Sequence, residues 1–323
     1  MLRRGWRDNA DFYDGVVMMR IIARLPGYAI AFLLAGTAAL AAPAAAQASA
    51  ALPGPAVVPC SSSALAAAIQ NANSAPMAVL RLSPGCNYVL TTAASAAAGL
   101  PTITGKIIVI GGHGTEISRS PAAAPFRILN VAPGGALTLA GVTVANGKLT
   151  ADAANGAGIL DAGSLVLRSV RLTGNTSAAG SGGGLSVGTG AQATISGSEL
   201  DGNNAVLAQG GAIVSRGDLV IDRSALTGNT AFAGGAVFAA GSATTRISHT
   251  TVSRNSAKAV GGGIFNQGAL ALTADRVTFN AAAQAGGGIV NSGAGTVTLR
   301  FTVVAFNTPD NCSPHGTIPG CQG

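Results

Sequence analysis

Three observations predict an all-β solenoid, a single-stranded right-handed parallel β-helix with a short N-terminal capping helix. A segment ending on asparagine recurs every 25 to 28 residues through the second half of the 323-residue chain. Within each segment the apolar residues hold fixed positions. The pieces between turns are too short for helices and alternate apolar and polar residues with period 2. Composition agrees. The chain has 46 glycines, 10% charged residues and 4% aromatics. It is too apolar and too weakly charged for disorder, and its glycines lack the three-residue period of collagen.

The chain begins with a targeting signal. Arg20 and Arg24 precede an apolar run from Tyr28 to Ala42, and Ala46-Gln47-Ala48 supplies an A-x-A cleavage site. The run is too short to span a bilayer. Asp8, Asp11 and Asp14 do not suit a basic leader, so Met18 and Met19 are alternative starts. Residues 1–48 are thus read as a signal peptide and the protein as secreted. Their removal takes 19 basic and 12 acidic residues to 14 and 9, a net charge of +5. So thin a charge does not point to nucleic acid.

Residues 49–136 are read as the N-terminal cap and first coils. Leu65, Ala68, Ile69 and Ala72 share one face of a helix that Ser63 can cap, closing the open end of the first coil. Strands are expected near Val79–Leu82 and Lys106–Ile110. All four cysteines, Cys60, Cys86, Cys312 and Cys321, follow the leader, as expected of disulfides in an exported chain. They allow three pairings. Two lie near each end, which favours Cys60–Cys86 with Cys312–Cys321.

Residues 137–307 are read as the regular coils. LVLRSVRLTGNT from Leu165, ATISGSELDGNN from Ala193 and LVIDRSALTGNT from Leu219 align, and three further copies follow. Their asparagines are Asn175, Asn203, Asn229, Asn255, Asn280 and Asn307. An earlier copy carries Asn146-Gly147 in exchanged order. Eight and three residues before each asparagine stand Leu, Ile or Val. A second motif, such as GGAIVS from Gly210, supplies a third apolar column through Leu185, Ile213, Val237, Ile264 and Ile289. Three inward columns imply three strands per coil. The hexapeptide period of a left-handed β-helix is absent. The asparagines are expected to form a structural ladder, taking left-handed corner conformations and pairing their amides along the axis. Residues 308–323 are read as a C-terminal disulfide loop.

Cys60-Ser61, Leu65, Ala68-Ile69, Ala72-Asn73, Leu82, Gly85 and Tyr88 resemble the N-terminal motif of exported bacterial right-handed β-helix proteins of the CSLREA type. Phe126 to Val131 and Leu137 to Val144 resemble that family's entry into regular coils. Asn307 to Cys321 is similar to its closing cysteine loop. The GGAI and GGAV pieces partly resemble repeats of polymorphic outer-membrane proteins. The resemblance implies fold and export, and no settled activity.

Many parallel β-helices of the pectate-lyase-like kind cleave acidic polysaccharides with clustered carboxylates. Nine carboxylates follow the leader here, without an Asp-Asp pair. Glu199 and Asp201 come closest, and Arg171 stands one coil earlier in the column of Glu199, pointing to an ion pair. Asp222 and Arg246 invite the same reading. His113, His249 and His315 show no acidic or nucleophilic partner at a recognisable spacing. No catalytic residue, cofactor or metal site is therefore expected. The favoured role is a monomeric structural or interaction protein at the cell surface or outside the cell. The alternatives are a module binding extracellular or cell-wall polysaccharide, or a polysaccharide lyase or hydrolase. No later apolar stretch could span a membrane, so no membrane contact is expected after cleavage.

Overall fold

The computed structural model describes residues 57–95, 98–151 and 154–322. The leader and its cleavage site lie outside the described residues. From Val57 onward the chain winds as a right-handed parallel β-solenoid of stacked coils. One coil runs through Ser164–Arg168, Arg171–Thr173, Thr176–Ser177 and Leu185–Val187. Stacking these strands over the coils builds four parallel sheets of ten, nine, six and eight strands, here the first to fourth in chain order.

The repeat sets the register. Leu167 pairs with Leu139 on one side and Ile195 on the other, and Leu172 pairs with Val144 and Leu200. These side chains are buried in one continuous interior. Each contributes roughly 1.5–3 kcal/mol through removal from water. The columns work because period-2 alternation, kept in phase from coil to coil, sends the same positions inward each time.

The expected three strands per coil become four. The additional short strands, such as Thr176–Ser177 and Thr230–Ala233, form the third sheet. Their inward residues are Ser177, Ala205, Ala231 and Ala257, all buried. Small residues carry little apolar signal, so this column is invisible to a search for Leu, Ile and Val.

The helix spans Ser62–Ala72 and buries Leu65, Ile69 and Ala72 against the first coils. Ser61 rather than Ser63 caps it, its hydroxyl accepting from the Ala64 N–H at 3.4 Å. At the other end of the helix Asn73 donates to the Thr102 carbonyl and accepts from the Thr104 and Gly105 amides. The Cys60–Cys86 disulfide closes this end and Cys312–Cys321 the other. The strand Cys312–Ser313 then extends the fourth sheet.

Candidate functional site

The corner between the second and third sheets holds the asparagines. Each repeats one geometry. The Asn203 main-chain N–H and Nδ2 both donate to Asn229 Oδ1, at 2.9 and 3.1 Å, and Nδ2 also donates to the Leu172 carbonyl of the preceding coil. Asn175, Asn229, Asn255 and Asn280 bond in the same way, and Asn307 does so with Asn311, four residues on, as its acceptor. All six are buried. Such a fully bonded polar row inside the protein costs little, while any broken member leaves buried groups unpaired. The row leaves no open face for a ligand.

One detail differs from expectation. The left-handed residue is the one before each asparagine, namely Gly174, Gly202, Gly228, Arg254, Phe279 and Phe306. The asparagine itself stays free of that strain, so its amide points inward. In the first copy Asn146 takes the left-handed position, with φ of 62°, and Gly147 takes the ladder position, its N–H donating to Asn175 Oδ1. The exchanged order in sequence is thus an exchange of roles.

A second ladder occupies the corner between the first and second sheets. The Val170 amide donates to Ser198 Oγ, Ser198 to Ser224, Ser224 to Thr250 Oγ1, and Thr250 to Asp275 Oδ1 at 2.8 Å. The Asp275 N–H continues to Thr302. Ser198, Ser224, Thr250, Asp275 and Thr302 stand five places before their ladder asparagines, a polar column that aligned repeats display. Burial pushes the Asp275 carboxyl up, against the amides of Thr250 and Thr273 that favour its charge.

The outside of this same corner carries a concave feature. A groove of about 480 Å³ is lined by His113, Thr115, Thr143, Ser169, Arg171 and Glu199. Its floor is open because the left-handed turn residues there are Gly141, Ser169 and Gly197. Further along the corner the same position becomes Arg223 and His249. Arg171 is neutralised: its Nε lies 2.7 Å from Asp201 Oδ1 and 3.7 Å from Glu199 Oε2. The expected pairing with Glu199 is therefore the weaker one, because Asp201 offers a bidentate contact. Burial raises Asp201, but hydrogen bonds from Arg171 and Thr173 and the Arg171 charge hold it below its ordinary value.

Asp222 pairs with Arg223 and His249 rather than Arg246. His249 Nδ1 lies 3.2 Å from Asp222 Oδ1, which also accepts from Ser248 Oγ at 2.8 Å. His315 faces Asp310 at 3.7 Å. Two of the three histidines therefore do have acidic partners. His249 stands one residue past Ser248, the register partner of Asp222, so a column-by-column reading of the repeats passes over the contact. The Ser248 hydrogen bond, with His249 and Arg223, holds Asp222 below its ordinary value despite opposing desolvation. No group of three or more metal-ligating side chains occurs among the described residues.

Asp161 stands apart. It is fully buried on the fourth sheet between Val131 and Val187, and burial pushes its carboxyl up to about 6 against the one amide, Gly163, that bonds it. Its Oδ2 has no hydrogen-bond partner among the described residues.

A family model described as the right handed beta helix region matches residues 128–304, more than half of the chain. No curated protein and no solved structure matches the chain.

Proposed function

The chain belongs to the right-handed β-helix family, and we propose that it acts outside the cell as a non-catalytic interaction scaffold. One observation carries this reading. The carboxyls that could serve as acids and those that a substrate could reach are different groups. Asp161 and Asp275 are raised by burial, but both are sealed in the interior. Asp201 and Asp222 border solvent, but cations and hydroxyls hold them ionised. Glycosidic cleavage needs a raised acid and a base on opposite sides of one accessible bond. Two disulfides support export to an oxidising compartment.

A second reading is favoured by the groove. Its hydroxyls and its internally neutralised Arg171 suit a neutral, hydroxyl-rich polymer, which makes polysaccharide binding the specific form of interaction to examine. The deciding experiment incubates the secreted chain with polygalacturonate and alginate, with and without calcium, between about pH 5 and 9. No reducing ends or unsaturated products are expected. A rate that disappears in Glu199→Gln or Asp201→Asn would overturn the scaffold reading. A glycan array on the same material tests the groove, with binding expected to fall in Arg171→Ala.

A further inference from the structure

The ridge formed by the second and third sheets and their shared corner gathers exposed apolar and cationic side chains. Phe279 and Phe306 stand on the corner, with Phe306 72% exposed, while Leu207 and Phe232 project from the third sheet, Leu207 being 69% exposed. Among them lie the exposed cations Arg254, Lys258 and Arg276, none of which pairs with a carboxylate among the described residues. In the coils C-terminal to Asp201 the strands of these two sheets and their shared corner contain no Asp or Glu.

The corner also keeps its bulk against backbone preference. Arg254, Phe279 and Phe306 adopt φ of 55°, 57° and 59°, whereas the three preceding coils place Gly174, Gly202 and Gly228 there. Glycine takes that conformation without strain, so the fold does not require these side chains. Phe279 and Phe306 stack at 5.2 Å with planes 9° apart, which covers one face of each, and both rings remain exposed.

We propose that this ridge docks the protein onto an anionic lipid surface. The phenylalanine edges and Leu207 enter the interfacial layer, and Arg254, Lys258 and Arg276 meet lipid phosphates. Charge complementarity supports an anionic partner, because Arg254, Lys258 and Arg276 make no ion pair with a carboxylate among the described residues. The shape separates a lipid surface from an acidic polysaccharide. A sugar chain is held by flat ring faces and convergent polar groups in a cleft, whereas this is an outer corner with stacked rings. The surface is distinct from the groove, so it goes beyond the scaffold reading. It also departs from the expectation of no membrane contact after cleavage. Hydropathy detects continuous spans, and side chains spread over several coils form none.

The test uses co-sedimentation of the secreted chain with vesicles of phosphatidylcholine alone or mixed with phosphatidylglycerol. The variant combines Arg254→Gly, Phe279→Gly and Phe306→Gly, restoring the residue used by earlier coils. Binding to the anionic vesicles is expected, weakened by salt and at least about tenfold weaker in the variant, whose melting temperature should be unchanged or higher. Should the variant not fold, Leu207→Ser with Phe232→Ser decides by the same reduction. Absence of binding, or equal binding by wild type and variant, would overturn the proposal. So would ridge-dependent binding to soluble polygalacturonate in place of vesicles, or a ridge-dependent dimer in sedimentation equilibrium.

Discussion

Two corners of the same coil solve one problem differently. Both turn the chain through a left-handed residue. At the corner entering the fourth sheet that residue is always glycine: Gly156, Gly182, Gly210, Gly234, Gly261 and Gly286. At the asparagine corner it is glycine, asparagine, arginine or phenylalanine. The difference is space. A Cβ on Gly210 would lie 2.2 Å from the Ile213 carbonyl oxygen, and on Gly182 or Gly234 it would meet the equivalent oxygen at 2.4 or 2.5 Å. A Cβ on Gly202 meets nothing within 4 Å. The first corner is closed by its own backbone, while the second leaves its side chain free for other uses.

That contrast can be broken directly. Gly210→Ala combines the φ penalty with a backbone clash and should cost about 4 kcal/mol, read as a lower urea midpoint. An effect near that of an exposed glycine would show that the corner can relax. At the other corner the vulnerable group is the asparagine. Asn229→Ala strips the acceptor from Asn203 and the donor from the Leu200 carbonyl, and should cost about 3 kcal/mol with faster amide exchange in the flanking coils. A cost confined to the mutated coil would mean that the ladder does not couple its neighbours.

A smaller effect tests a polar residue buried without a full set of bonds. Asp161 has a folded value near 6, above its unfolded one, so folding favours the protonated form. Its contribution is greatest at acid pH and is lost as pH rises through about 6. Asn266 occupies the same column and satisfies both its amide atoms on Gly268. Asp161→Asn should therefore stabilise by about 2 kcal/mol above pH 7 and change little near pH 4. A pH-independent gain would show that the carboxyl titrates alike in the folded and unfolded chain. Smallest of all, Gly202→Ala should cost about 1 kcal/mol, the φ penalty alone. A value equal to that of Gly210→Ala would remove the distinction between the corners.

The sequence carries whatever repeats with bulk or with a rare residue type. Leu, Ile and Val three and eight places before each asparagine mark the inner face, and the Gly-Gly pairs mark the closed corner. The third sheet was not legible because Ala205, Ala231 and Ala257 resemble any other alanine in an alanine-rich chain. The Asp222–His249 contact was missed because Ser248, not His249, stands opposite Asp222 in the register, and only side-chain geometry brings the imidazole to the carboxylate. Arg171 illustrates a different limit: sequence puts it beside Glu199 and Asp201, and only side-chain geometry selects Asp201.

The asparagine row has a beginning and an end that differ from its middle. It starts on Gly147, which contributes only a main-chain N–H, and stops where Asn307 donates to Asn311, four residues on, whose own amide turns to the Gln322 carbonyl. Every interior member makes the same bonds to the coil before and the coil after. The number of coils is thus a free parameter of this architecture. Excision or duplication of one whole repeat between Asn203 and Asn229 would rejoin identical partners, and the molecule could change length without inventing a new terminus.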